Sequence, residues 1–136
     1  MYEYTQIISE TGHEFSIMNL GTSKYENNPT YYNVMIKIKS GLFQGEHSFS
    51  FYKENVQSMI KILNTMHSEL KGILVIRDDE SDSHVNLEMG NYGHMQIHGE
   101  IGGTHTGNYL CFDYESDHTV LPGLIMFFES LLKASK

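Results

Sequence analysis

Eight histidines, a single cysteine and a crowded set of carboxylates are the side chains of this sequence able to do chemistry. Their spacing places several on neighbouring strands. Val85, Leu87 and Met89 form one apolar alternation, and Met95, Ile97 and Ile101 form another. A slip of one residue would turn every side chain to the wrong face, so matching the two sets puts Met89 opposite Met95. That register aligns Glu88 with Gln96, Asn86 with His98 and His84 with Glu100. Applied again to Leu110, Phe112 and Tyr114, face matching sets Cys111 beside His98. Asn86, His98 and Cys111 are the residue types of a cysteine-protease site. A nucleophilic thiol also needs an oxyanion hole, usually backbone donors at a helix start or sharp turn, and mid-strand positions do not offer one. The sequence therefore predicts an ordinary half-buried cysteine and no catalytic site.

The same strands carry residues of the types that bind metal. His94 and His98 share a face but stand about 13 Å apart at about 3.3 Å per residue, too far for one ion. His84, His98 and Glu100 are the weak candidates, with His105 in a nearby loop. Surface histidines on a polar sheet face are the simpler expectation, and no cofactor is expected. Asp78, Asp79, Glu80 and Asp82 crowd one loop, yet the loop lacks the glycine and distal glutamate of a calcium-binding EF-hand. It reads as a solvated acidic turn or as an acidic patch offered to a basic partner. The segment from Gly99 to Gly107 lacks the Lys-Ser/Thr ending of a phosphate loop and does not open a helix.

The elements that carry these residues follow from periodicity. Val56, Met59, Ile60, Leu63, Met66, His67 and Leu70 recur at helical spacing over Lys53 to Gly72, and Gly72 suits a left-handed helix end. Leu121, Leu124, Ile125, Phe128, Leu131 and Leu132 trace a second amphipathic helix, with Asp117 or Thr119 as N-cap and Pro122 in the first turn. Between and before them the chain alternates with period two: Tyr2 to Ser9, His13 to Leu20, Tyr32 to Ile38, and Ser48 to Tyr52. Ile73 to Ile76 is continuously apolar, as in a strand covered on both sides. Gly21 to Pro29 reads as a loop, and Asn91-Tyr92-Gly93 as a three-residue hairpin closure. The expected fold is α+β: a mostly antiparallel sheet of about eight strands, either one curved sheet or a two-layer sandwich, with one helix mid-chain and one at the C-terminus. The whole of residues 1–136 reads as one domain.

Composition narrows the partner. At 136 residues, 40% hydrophobic and 19% charged, the chain can bury a core without metal or disulfide support. A formal net charge of −8 opposes phosphate backbones and anionic lipid, so no direct nucleic-acid or membrane partner is expected. One cysteine cannot form an intrachain disulfide, and neither a signal peptide nor a transmembrane run is visible, so the expected location is the cytoplasm.

The order of motifs carries further information. Asn33-Val34-x-Ile36-x-Ile38, Gly41-x-Phe43-x-Gly45 and Leu70-x-Gly72 come first. Gly93-His94-x-x-Ile97-x-Gly99 and Leu110-x-Phe112-x-Tyr114-x-x-Asp117-x-Thr119-x-Leu121-Pro122 follow. In this order, across roughly Tyr25 to Leu132, they resemble the WapI family of bacterial immunity proteins. That family often carries Trp near the position of Tyr31, where this chain has none, and the first hairpin matches poorly. The resemblance implies a non-enzymatic cytoplasmic antidote that binds and blocks a cognate toxin domain. Where the toxin cleaves RNA or DNA its cleft is basic, and an acidic inhibitor would be steered into it. Expected anchors are Tyr25, Tyr31, Tyr92 and Tyr109, beside Asp78, Asp79, Glu80 and Asp82. The alternative is a β-rich protein that binds a small ligand or metal through His84, His98 and Glu100.

Overall fold

The computed structural model describes residues 4–8, 12–24, 30–103 and 107–134. Alternating segments become eight strands in two four-stranded antiparallel meanders. The first holds β1 (Tyr4–Ile8), β2 (Glu14–Lys24), β3 (Thr30–Ser40) and β4 (Phe43–Tyr52). The second holds β5 (Gly72–Arg77), β6 (His84–Met89), β7 (His94–Gly103) and β8 (Asn108–Asp117). Helix α1 (Lys53–Glu69) joins the sheets, and α2 (Leu121–Ala134) follows a 3-10 turn at His118–Val120. The α+β architecture expected from the sequence is the one found.

One core unites the layers. Val34, Ile36, Phe49 and Phe51 from the first sheet are fully enclosed with Leu87, Ile97, Leu63, Leu124 and Phe128. Phe51 meets Phe128 edge-on at 6.1 Å between ring centroids, the geometry favoured by the aromatic quadrupole. Contacts of β3 and β4 with β8, and of β4 with β7, bring the sheets together, while α1 packs on α2 and β5. Nothing among the described elements covers the outer face of the second sheet.

Four local expectations are corrected. The left-handed residue that ends α1 is Leu70 (φ 53°), whose N–H donates to Met66 O at 2.8 Å, while Gly72 (φ 113°) opens β5. Of the expected stripe, Val56, Met59, Leu63 and Met66 are buried and Ile60 is half-buried, but His67 and Leu70 are exposed. β5 is covered on one face only, because no described element lies over the outer face of its sheet: Leu74 and Ile76 are buried, whereas Ile73 and Val75 are 49% and 38% exposed. The expected loop at Gly21 is strand as far as Lys24. The register shifts between Asn19 and Gly21, and Asn19 Oδ1 accepts the Gly21 N–H at 2.8 Å; this absorbs the break in alternation. The rest of that loop, residues 25–29, lies outside the described residues, as do residues 9–11 between the first two alternating segments.

A left-handed leucine is strained, since its Cβ crowds the backbone. Leu70→Gly is therefore expected to raise stability by about 0.5–1 kcal/mol, after allowing for the greater freedom of glycine in the unfolded chain. Urea denaturation would show this as a higher midpoint at unchanged slope.

Candidate functional site

The outer face of the second sheet is a grid built by three antiparallel pairings. Row by row it reads Ile73, Glu88, Gln96, Glu115; then Val75, Asn86, His98, Asp113; then Arg77, His84, Glu100, Cys111. His94 stands opposite Asp117 at one end, and Gly102 opposite Tyr109 at the other. The β6 to β7 register expected from Met89 and Met95 is found, pair for pair. The β7 to β8 expectation is corrected: Cys111 faces Glu100, and Asp113 takes the place beside His98. The protease-like alignment therefore does not form.

Polar bonds across the strands fix the grid. His94 Nδ1 and Glu115 Oε1 lie 2.8 Å apart, Gln96 Nε2 donates to Asp113 Oδ1, and Asn86 Nδ2 approaches His98 Nδ1 at 3.4 Å. The Thr119 hydroxyl and amide both donate to Asp117, and together hold its carboxyl below the usual range. Loss of solvent and then a bond to Glu100, at 3.6 Å from Cys111 Sγ to Oε2, push the thiol above its ordinary value. Iodoacetamide should accordingly react with Cys111 more slowly at neutral pH than with an unperturbed thiol. Glu100→Gln removes the carboxylate charge, and the midpoint of the pH–rate profile is expected to move down.

Of the expected metal ligands, His84 and Glu100 are cross-strand partners, while His98 lies one row away beside Asn86. His84 Nδ1 contacts Asp82 O at 3.0 Å. Among the described residues no group of three or more His, Cys, Asp or Glu is arranged to hold a metal. His105 lies outside them.

The acidic loop is mostly structural. Asp78 is buried; its carboxylate accepts the Ser50 N–H at 2.9 Å, the Glu80 N–H at 3.1 Å and the Ser81 hydroxyl at 2.6 Å, and His47 Nε2 lies at 3.6 Å. Asp79 accepts from Tyr52 N and Asn55 Nδ2 at the start of α1, each at 3.0 Å, where a carboxylate suits the helix dipole. Of the four, Asp79, Glu80 and Asp82 are exposed. Tyr31 is half-buried and its hydroxyl donates to that of Tyr52 at 2.6 Å, which pushes the Tyr31 phenol up to about 12. Tyr25 lies outside the described residues.

Tyr92 and Tyr109 stand apart from that loop. Tyr92 is 97% exposed and adopts φ 60° in the β6–β7 turn; Tyr109, 51% exposed, lies at the far end of β8. They bracket the grid along its length, about 26 Å at about 3.3 Å per residue. A shallow cleft of about 620 Å³ lies beside Tyr92, lined by Glu88, Gln96 and Glu115 among others. Glu88, Asp113, Glu115 and Asp117 were not among the site residues expected from the sequence, where Glu88 entered only as a register partner and Asp117 as a helix cap and motif residue. Their signal was present as the polar half of each alternation, but only the uncovered state of the sheet gives it meaning.

The architecture of paired four-stranded meanders, each followed by a helix, has a counterpart among solved structures. The chain is similar to the crystal structure of WHY1 from Arabidopsis thaliana, with a TM-score of 0.56 over 97% of this chain and 84% of that one, at 8% identity. At that identity the likeness shows the fold alone. No family model and no curated protein matches the chain.

Proposed function

We propose that the chain is a non-enzymatic protein-binding module of the immunity type, which neutralises a cognate bacterial toxin domain by covering a basic active-site cleft. The observation that carries this reading is the open grid of the second sheet. Five carboxylates, Glu88, Glu100, Asp113, Glu115 and Asp117, share that face with two permanent cations, Arg77 and, at its rim, Lys71. An acidic face with exposed tyrosines at its two ends fits a basic protein surface, in which aromatic anchors supply affinity and charge supplies rate and orientation. The ordered motifs that resemble the WapI family support the same class of function. A toxin whose substrate is RNA or DNA is the partner this charge suits best.

Stopped-flow mixing with the toxin domain encoded immediately upstream tests the electrostatic part. The association rate constant should fall steeply as salt rises, because steering acts over a Debye length of about 8 Å at physiological ionic strength. A rate independent of salt would remove charge from the account.

A further inference from the structure

We infer that the two open edges of the second sheet pair with one another between copies of this chain, head to tail. β5 and β8 are the outermost strands of the sheet, and among the described residues no other strand bonds to either. Their outward rows differ in chemistry. The β5 side presents Lys71, Ile73, Val75 and Arg77; the β8 side presents Tyr109, Cys111, Asp113 and Glu115. In a four-stranded meander β8 runs opposite to β5, so a neighbouring copy can extend the sheet antiparallel with both outer faces on one side.

One register satisfies the charges. It sets Lys71 opposite Glu115, Val75 opposite Cys111 and Arg77 over the ring of Tyr109, a cation–π pair. Within one copy Lys71 reaches Glu69 at 3.5 Å and Glu115 reaches His94 at 2.8 Å, so the new pairs join existing ones at the rim. The layer behind the sheet matches too. Beside β8 the β3–β4 turn projects Leu42 and Phe43, 100% and 70% exposed, above a groove of about 430 Å³ that includes Leu110 and Phe112. Beside β5 an apolar groove of about 280 Å³ is lined by Ile62, Met66 and Ile73. In the register that joins Lys71 to Glu115, Ile73 of the one groove faces Asp113 of the other. Like-edge pairing is opposed, because β8 against β8 crowds carboxylates and β5 against β5 crowds cations. The contact is heterologous, so copies form a closed ring or a chain.

Sedimentation velocity and oxidative cross-linking on the full chain test this. The wild type should show a weight-average mass that climbs with concentration to at least twice the monomer value. Glu115→Lys and Lys71→Glu each place like charges at the junction, so each variant alone should stay monomeric. Mixed, they restore opposite charges at both junctions and should associate. Both positions are exposed, and circular dichroism checks the fold of each variant. Val75→Cys should form an intermolecular disulfide with native Cys111 under mild oxidation, whereas Ile73→Cys, two residues out of register, should not. A wild type that remains monomeric throughout, or cross-linking equal at both positions, would overturn the proposal. Association that persists in each single variant would place the contact on another surface. None of these readings requires a toxin, so their failure leaves the proposed function untouched.

Discussion

Gly99→Ala is expected to destabilise the protein by about 4 kcal/mol, a large share of the 5–15 kcal/mol that holds a typical domain folded. Gly99 sits mid-strand in β7 between Val85 and Phe112. A Cβ added there would lie 2.3 Å from the His84 carbonyl oxygen and 3.2 Å from Val85 Cα. Both belong to the backbone of the neighbouring strand, which cannot swing aside as a side chain can. Relief requires β6 and β7 to separate, and that weakens the pairing on which the acidic grid rests. Gly90 supplies the contrast: a Cβ there meets nothing closer than 3.7 Å, so Gly90→Ala should shift stability by no more than about 0.5 kcal/mol. Urea denaturation of the two variants measures the difference, and equal midpoints would show that the strands yield easily.

Asp78→Ala should cost about 3 kcal/mol. Its carboxylate holds the loop between β5 and β6 against the outer edge of β4, and Asp79 N donates to Ser50 O at 3.0 Å on the same edge. Truncation leaves the Ser50 and Glu80 N–H groups without their acceptor, and each stranded donor costs about 1–3 kcal/mol where water does not replace it. Asp78→Asn keeps one carbonyl acceptor and should lose roughly half as much. Thermal melts followed by circular dichroism would rank the series wild type, Asn, Ala. Near-equality of Ala with the wild type would mean that water fills the site.

These two residues also show what a sequence can convey. Asp78 and Asp79 looked like a solvated patch because carboxylates in a loop usually are one, and no local pattern reveals that β4 will lie within hydrogen-bond reach. Face matching set the β6–β7 register correctly because a three-residue turn left no slack between Met89 and Met95. The same reasoning placed Cys111 two residues off, since alternation fixes which face a residue takes but not which row, and the connection from β7 to β8 is longer. Ile73 to Ile76 read as a doubly covered strand because four apolar residues in succession do not reveal that the outer face of the sheet stays uncovered. Leu70 could not be foreseen as a left-handed cap, for leucine is a poor choice there and Gly72 a good one. The helices and the strand count were legible, because their apolar spacing is dictated by the core they share.

The central claim, that the open acidic face of the second sheet neutralises a toxin, is tested most directly by a growth assay. Cells would express the C-terminal domain encoded by the gene immediately upstream, together with either the wild-type chain or the Glu88→Lys, Asp113→Lys, Glu115→Lys variant. All three positions are exposed, so a fold check by circular dichroism should match the wild type. The wild type is expected to restore growth and the reversed face to lose that protection. Rescue by both chains, or by neither against a domain that kills, would contradict the account.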